Sequence, residues 1–578
     1  MHGTGFVELG RYYRPITALS YSLDYCIWRL NPFGYHLTDL ILHVLVSVLV
    51  FFLIRFLTNG KQITAWLGAV IFTTHPILVE SVPVTSRRQD IMAALFLLLS
   101  LLLFLKHLSA SSRKRGRLLF SLLFYVLALG VKEIAIILPF LIFTYLMTFS
   151  FSTEESFKGR MVQSVKGSLP YLMMALIVFA WRIYVLQGLG GYVTTKMIVS
   201  PIKVIKGYFV DLLYPVDFLS LLFSPFPSIL GQIASLIALL ALFIFSLFYG
   251  RALLGIAGHS DRKVVRALIK VLLATIVASS LIGILAYPLI SPYINQLIQQ
   301  AYYGEGPRFL TDAMEGRHAL PVEYYFYKAR DLILKSLFPL LFFSTICLIG
   351  IHEGNKIKGF FNTARGKSVF FSLIWLSLPL GIYSLARTFD HRYMYISVIP
   401  FSVILSIMLV ESVQSTIRGI MRRISHSLDS SYRSSLISYA VIGFITAGLL
   451  VSLLAYSPLV RTYGEWEDSG KISSMFLHKL SEVVTELPND AIIHVHNLPI
   501  RISSYKARVP HARSVVYLRD YSIKSWLDLN RPNNRMEVVI HNRPRPAVCP
   551  SDLDLEVKRE EDNDVVIVVR FDGSNDIQ

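Results

Sequence analysis

The sequence predicts an all-α polytopic membrane protein of about twelve transmembrane helices, followed by a small soluble α/β domain. Three observations predict it. Of 578 residues, 54% are hydrophobic and only 16% charged, with a mean hydropathy of +0.54, outside the range of soluble globular chains. Apolar runs that approach or reach the length needed to cross ~30 Å of hydrocarbon recur between residues 40 and 456. Beyond Tyr456 the hydropathy collapses.

The runs fall at 40–57, 63–74, 91–105, 118–130, 134–148, 169–186, 229–249, 267–290, 333–351, 369–385, 395–409 and 437–456. Between them, basic residues cluster in every second loop: Arg55 and Lys61; Arg113, Lys114, Arg115 and Arg117; Lys158, Arg160 and Lys166; Arg251, Arg262, Lys263 and Arg266; Lys356, Lys358, Arg365 and Lys367; and Arg418, Arg422, Arg423 and Arg433. The positive-inside rule makes those loops cytosolic. The formal charge of +18 is therefore read as orientation, and nucleic acid is not an expected partner. Residues 1–36, 75–90, 132–133, 187–227, 291–331, 387–392 and everything after Tyr456 then face outward.

That orientation places residues 1–36 outside with no helix before them to carry them across. The segment from Arg11 to His36 is aromatic, basic and amphipathic, which suits a helix lying in the membrane interface. The expectation is a chain whose first helix, and the acidic loop after it, are missing from the front. Residues 37–457 form the membrane domain and 458–578 an extracytoplasmic mixed α/β domain. The latter reads as a helix over 471–487 with apolar residues at three- and four-residue spacing, then β-like runs at 491–495, 514–518, 536–540 and 565–569. No repeat of 20–50 residues is visible in it. Cys26, Cys347 and Cys549 have no metal-ligand spacing.

The most informative stretch is His75-Pro76-Ile77-Leu78-Val79-Glu80-Ser81-Val82, followed at once by Arg87-Arg88-Gln89-Asp90 and set between two apolar runs. Holding such charges near hydrocarbon costs several kcal/mol unless they pair, reach water or bind something, so the cluster is a candidate site. Four further groups continue in order. They are Tyr13-Arg14-Pro15 with Leu23-Asp24-Tyr25 and Asn31-Pro32-Phe33-Gly34-Tyr35-His36-Leu37; Lys132-Glu133 with Pro139; Trp181-Arg182; and Arg392-Tyr393-Met394-Tyr395.

Together these blocks resemble the runs "YRP…LDY…NPxGYHLxN", "HPxxxEAVxxxxxRxD", "KExxxxxP" and "RYxY" of polytopic membrane glycosyltransferases with the GT-C fold. The similarity is greatest to the transmembrane O-mannosyltransferases that carry tetratricopeptide tails, although this chain lacks the repeats. The resemblance implies a transferase that takes a sugar from a polyprenyl-phosphate donor and places it on a protein or glycan acceptor at the outer or luminal face. It implies a multi-pass protein of the cell membrane in a prokaryote, or of the endoplasmic reticulum in a eukaryote, in contact with membrane lipid. The lipid-phosphate sugar is the donor, the resemblance fixes no cofactor, and a divalent metal ion stays open.

In that chemistry a carboxylate takes or orients the proton of the acceptor hydroxyl, while Arg or Lys stabilises the departing phosphate. The acidic pair of the family, which precedes the Arg14-Pro15 block, has no counterpart here. Glu80 is the leading catalytic carboxylate, with Asp90 and Asp24 as the others. Arg14, His36, His75, Arg88, Lys132, Glu133, Arg182 and Arg392 are the candidate substrate-binding residues. For several of these a structural role is open as well: Arg88 and Asp90 as an internal pair, Lys132 as an interface anchor, Asp24 as a helix-surface residue. Two other classes fit part of the pattern. A transporter of lipid-linked sugars would suit many helices and outward charges, but no two halves of the chain look alike. A non-catalytic scaffold derived from the enzyme would suit the absent acidic pair.

Overall fold

A computed structural model describes residues 12–109, 115–149, 156–187, 201–212, 363–386, 391–424, 436–444, 446–448, 463–498, 518, 520–531, 534–541, 553–559 and 564–571. It divides into two compact units, Met1–Leu454 and Ala455–Gln578.

The described residues of the first unit form helices and the turns that join them, with no strand among them. Its helices are α1 (Pro15–Trp28), α2 (Pro32–Leu57), α3 (Gln62–Thr74), α4 (Arg88–Leu108), α5 (Arg115–Val131), α6 (Leu138–Phe149), α7 (Phe157–Leu186), α8 (Pro201–Leu212), α9 (Ala364–Leu385) and α10 (Tyr395–Ile424). Short 3₁₀ turns at Pro76–Glu80, Thr85–Arg87, Glu133–Ile137 and His391–Met394 lead into or link them. Among the described residues, five helical segments are long and apolar enough to cross a membrane: Pro32–Leu57, Thr85–Leu108, Phe157–Leu186, Ala364–Leu385 and Arg392–Glu411. Gln62–Thr74 and Glu133–Phe149 are shorter apolar helices. The runs at 229–249, 267–290 and 333–351 lie outside the described residues.

Helix α2 begins well before its apolar run. Asn31 caps it, its side-chain oxygen accepting the Phe33 N–H at 3.1 Å, and Pro32 occupies the first helical position, where a missing N–H costs nothing. The polar residues Tyr35, His36 and Asp39 therefore ride on the first turns of a membrane-length helix. In α1, Leu19, Leu23 and Ile27, four residues apart, are all exposed and form one apolar stripe.

The bundle packs α4 against α5 and α2, α3 between α2 and α10, and α9 against α10 and α6. Close approach at α3 depends on Gly68, where a Cβ would lie 2.3 Å from Ile54 Cδ1, 2.9 Å from Ser406 Oγ and 3.3 Å from the Ser402 carbonyl oxygen. Small residues at crossings of this kind let helices associate where lipid removes the hydrophobic drive. A polar clasp adds to it. The Ser100 and Ser121 hydroxyls each donate to the other's carbonyl at 2.6 Å, and the Tyr171 hydroxyl sits 2.6 Å from Ser121 Oγ, joining α4, α5 and α7.

The second unit comprises α11 (Tyr463–Val484), β1 (Ile492–His496), α12 (Asp520–Asn530), β2 (Glu537–His541), β3 (Leu553–Arg559) and β4 (Asp564–Phe571). The sheet order is β2-β1-β4-β3, with β1 parallel to β2 and β4 and β3 antiparallel to β4. Ile472, Phe476, Leu480 and Val484 repeat every four residues along α11 and are buried with Ile493, Val495, Val565, Ile567 and Val569 of the sheet. The expected strand at 514–518 lies outside the described residues except for Leu518, which is in no strand. β3 was not expected, because its Asp, Glu, Lys and Arg mask an alternation in which Leu553, Leu555 and Val557 share one face.

Candidate functional site

The charged residues of the membrane unit are not scattered. Asp39 lies near the start of α2, His75 at the end of α3, Arg88 and Asp90 at the start of α4, and Lys132 and Glu133 between α5 and α6. Arg182 lies near the end of α7, and Arg392 just before α10. Ion pairs, hydrogen bonds and ring contacts of these elements gather the positions at one end of the bundle. Three linked ionic groups form there.

In the first, Arg88 is fully buried and spans two carboxylates. Its Nη2 lies 2.6 Å from Asp24 Oδ2, its Nε donates to Asp39, and Nη2 also donates to the Tyr35 carbonyl at 3.0 Å. The Thr38 hydroxyl donates to Asp24 at 3.0 Å, and the Tyr21 ring lies 4.8 Å below the guanidinium. Asp24 is 4% exposed, so it is a buried partner and not the helix-surface residue expected. The expected pairing of Arg88 with Asp90 does not occur. Two residues apart on a helix, their side chains point some 200° apart and cannot meet.

Asp90 instead accepts from the Lys132 ammonium. Burial pulls the Lys132 pKa down, Asp90 opposes that pull, and neighbouring Arg14 and Arg392 add to it. The Lys132 Nζ lies 5.0 Å from the Tyr393 ring centroid and the Arg392 guanidinium 5.3 Å from the same ring, so the two cations share one aromatic platform. Tyr383 stacks on Tyr393 at 5.1 Å. One carboxylate oxygen of Asp90 is buried with no hydrogen-bond partner.

In the third group Glu133 takes two guanidinium partners, Arg14 at 2.9 Å and Arg182. Lys132 and Glu133 are consecutive, yet the turn at the end of α5 sends one to Asp90 and the other to Arg14 and Arg182. The Trp181 indole N–H donates to Tyr13 at 3.1 Å, tying α7 to the segment ahead of α1. Around Lys132 and Glu133 gather the cations Arg14, Lys132, Arg182 and Arg392 and the carboxylates Asp90 and Glu133.

His75, Glu80 and His36 are not among the ion-pair partners described for these groups. His75 is buried, and both its ring nitrogens are taken by main chain: Nδ1 accepts from Ile77 N–H at 3.3 Å and Nε2 faces the Leu212 carbonyl at 3.1 Å. Burial pushes its pKa down to about 4, so it is neutral at pH 7 and anchors the turn that follows. Glu80 closes that turn, Pro76–Glu80, whose neighbour Ser81 donates to the Arg392 carbonyl at 3.4 Å; the Glu80 side chain lies outside the described residues. His36 is exposed on the first turn of α2. Among the described residues no group of three or more His, Cys, Asp or Glu is placed to hold a metal ion. Sequence reasoning missed Asp39, although the signal was present: it stands where the family run "NPxGYHLxN" has asparagine.

Comparison with known proteins returns the relatives that the motifs resemble. The chain is similar to protein O-mannosyl-transferase TMTC2 of Homo sapiens, 39% identical over 97 residues that cover 17% of this chain and 12% of that protein. It is 32% identical to protein O-mannosyl-transferase Tmtc1 of Drosophila melanogaster over 136 residues, 23% of this chain and 16% of the relative. Protein O-mannosyl-transferase TMTC3 of Homo sapiens is 34% identical over 91 residues, 16% of this chain and 10% of its own length. The match therefore takes in 10–16% of these relatives. No family model matches the chain. No solved structure matches it either.

Proposed function

We propose that this chain is a membrane glycosyltransferase of GT-C type that moves a sugar, mannose by analogy with its relatives, from a polyprenyl-phosphate carrier to a protein or glycan hydroxyl on the extracytoplasmic or luminal face. The observation that supports the reading is the convergence of two cations, Lys132 and Arg392, on the Tyr393 ring at one end of the bundle. In the transfer, the acceptor oxygen bonds to C1 of the sugar as the bond from C1 to the phosphate oxygen breaks. The acceptor proton goes to a carboxylate and the lipid phosphate leaves with the bonding electrons. Arg392 and Lys132, held in a site that excludes part of the water, oppose the charge that grows on that phosphate. Asp24 and Asp90 are each committed to a buried cation, and the proton is assigned to Glu80, which ends the turn whose neighbour Ser81 donates to the Arg392 carbonyl.

The orientation rests on charge. The helix ends opposite the site carry Arg55, Lys61, Lys106, Arg115, Lys158 and Arg365. In a Cys26→Ser/Cys347→Ser/Cys549→Ser background, Ser86→Cys, at an exposed position at the site end, should react with a membrane-impermeant maleimide from outside sealed vesicles. Asn59→Cys, between α2 and α3, should react only after permeabilisation. The reverse pattern would overturn the orientation and the face assigned to the reaction.

Transfer itself is tested by reconstituting the chain in proteoliposomes with polyprenyl-phosphate mannose and a Ser/Thr-rich peptide. Mannosylated peptide is expected, and Arg392→Gln should raise KM for the carrier and lower kcat together, because the charge acts on the phosphate in both ground and transition states. The mutual pairing of Asp24, Asp39, Asp90 and Glu133 with cations also suits a scaffold without activity. Carrier binding with no transfer to any peptide or glycan acceptor would select that reading.

A further inference from the structure

The second unit holds a feature that the transferase reading does not use. His494 and His496 of β1 and His541 of β2 lie on the sheet face opposite the core: along β1 the buried residues are Ile493 and Val495, and the histidines alternate with them. The parallel register sets His496 beside His541. His494 Nδ1 faces His541 Nε2 at 3.0 Å, and the His496 and His541 rings stack at 4.6 Å with an interplanar angle of 16°. The other nitrogen of His494, Nε2, faces Asp564 Oδ2 of β4 at 3.8 Å.

We propose that His494 and His541 form a binding site for a divalent metal ion of the zinc, copper and nickel class, with Asp564 orienting His494. Two imidazole nitrogens bound to one tetrahedral zinc at about 2.0–2.1 Å stand roughly 3.3 Å apart, so the pair needs to open by a few tenths of an ångström and both rings to turn from facing each other toward a shared metal. Imidazole donors suit zinc, copper and nickel, whereas calcium and magnesium take oxygen. Asp564 stands 3.8 Å from the second nitrogen of His494, on the side where an orienting carboxylate would sit, and would have to close by several tenths of an ångström to accept its N–H. A ligating imidazole almost always donates its second N–H to a carboxylate or carbonyl, which fixes the tautomer and raises the basicity of the bound nitrogen. The site is open: the side chains of His494 and Asp564 are 25% and 35% exposed, so water can complete the coordination. Bound metal would clamp β2, an edge strand, to β1 through side chains as well as the backbone ladder.

The test uses the full chain in detergent micelles, titrated with Zn²⁺ in competition with a chromophoric chelator. One zinc per chain is expected to bind through this pair, and the His494→Gln/His541→Gln chain should lose that equivalent. Asp564→Asn should weaken it about 10-fold, the low end for removing an orienting partner of a metal ligand. His478→Gln, on an exposed face of α11, should retain it, and unchanged circular dichroism in all variants guards against loss of fold. Equal zinc affinity in wild type and the double variant would overturn the site, as would a wild-type chain that binds no zinc.

Discussion

Arg88→Met should cost the membrane unit most of its stability. The guanidinium is 0% exposed and faces Asp24 and Asp39, both within 5% of complete burial. Removing it leaves two carboxylates close together with no counter-charge in an apolar setting. Removing one partner of a single buried ion pair already costs about 3–5 kcal/mol. Against the ~5–15 kcal/mol that holds typical proteins together, that is enough to collapse the folded yield. Arg88→Lys should rescue little, since an ammonium cannot reach both carboxylates and the Tyr35 carbonyl with the geometry of the planar fork. Restoring charge balance should do better: Arg88→Met combined with Asp24→Asn and Asp39→Asn replaces the stranded anions with amides and should recover much of the folded protein. Fluorescence-detected size exclusion across a temperature series measures all three. A wild-type melting profile for Arg88→Met would show that the triad is not what fixes α1 and α2 against α4.

Glu80→Gln should do the opposite, leaving the melting profile alone and lowering transfer from the polyprenyl-phosphate donor by roughly 10²–10⁴-fold, the range for losing acid or base participation. The isosteric amide keeps the shape of the turn that ends at residue 80 and removes only the charge. The loss should appear in kcat with KM for the carrier nearly unchanged, in contrast to Arg392→Gln, which should move both. Full activity in Glu80→Gln would remove this residue from the chemistry and turn attention to Asp24 and Asp90 despite their cationic partners.

Which of these residues share a region was legible in the sequence; which touches which was not. Periodicity and loop charge brought Asp90, Lys132, Glu133, Arg182 and Arg392 to one side, because helix ends alternate between the two faces. Partner choice depends instead on helix rotation. Asp90 turns to Lys132 and Arg88 to α1 and α2 because they lie two apart on a helix, a consequence of 3.6 residues per turn that chain proximity conceals. Asp39 escaped for a different reason. It sits in a helical turn that looks like polar lead-in, so its place at the asparagine of the family run passes unread until the contact with Arg88 explains an acid there. In the second unit the buried alternation of β1 and β4 read through, while the charges along β3 hid an equally regular one.

The meeting of these charged partners at one end of the bundle also imposes a rule of parity on how this architecture can change. Each charged partner is tied to one membrane face by the number of crossings that separate it from the next. A single helix gained or lost between Arg88 and Lys132, or between Arg182 and Arg392, would carry everything downstream to the opposite face. It would then part cations from carboxylates by the whole thickness of the bilayer. Additions and deletions within the bundle are therefore tolerable only in even numbers, as hairpins that leave and return to the same side. Insertions of odd count are open only before the first residue of the network or after the last.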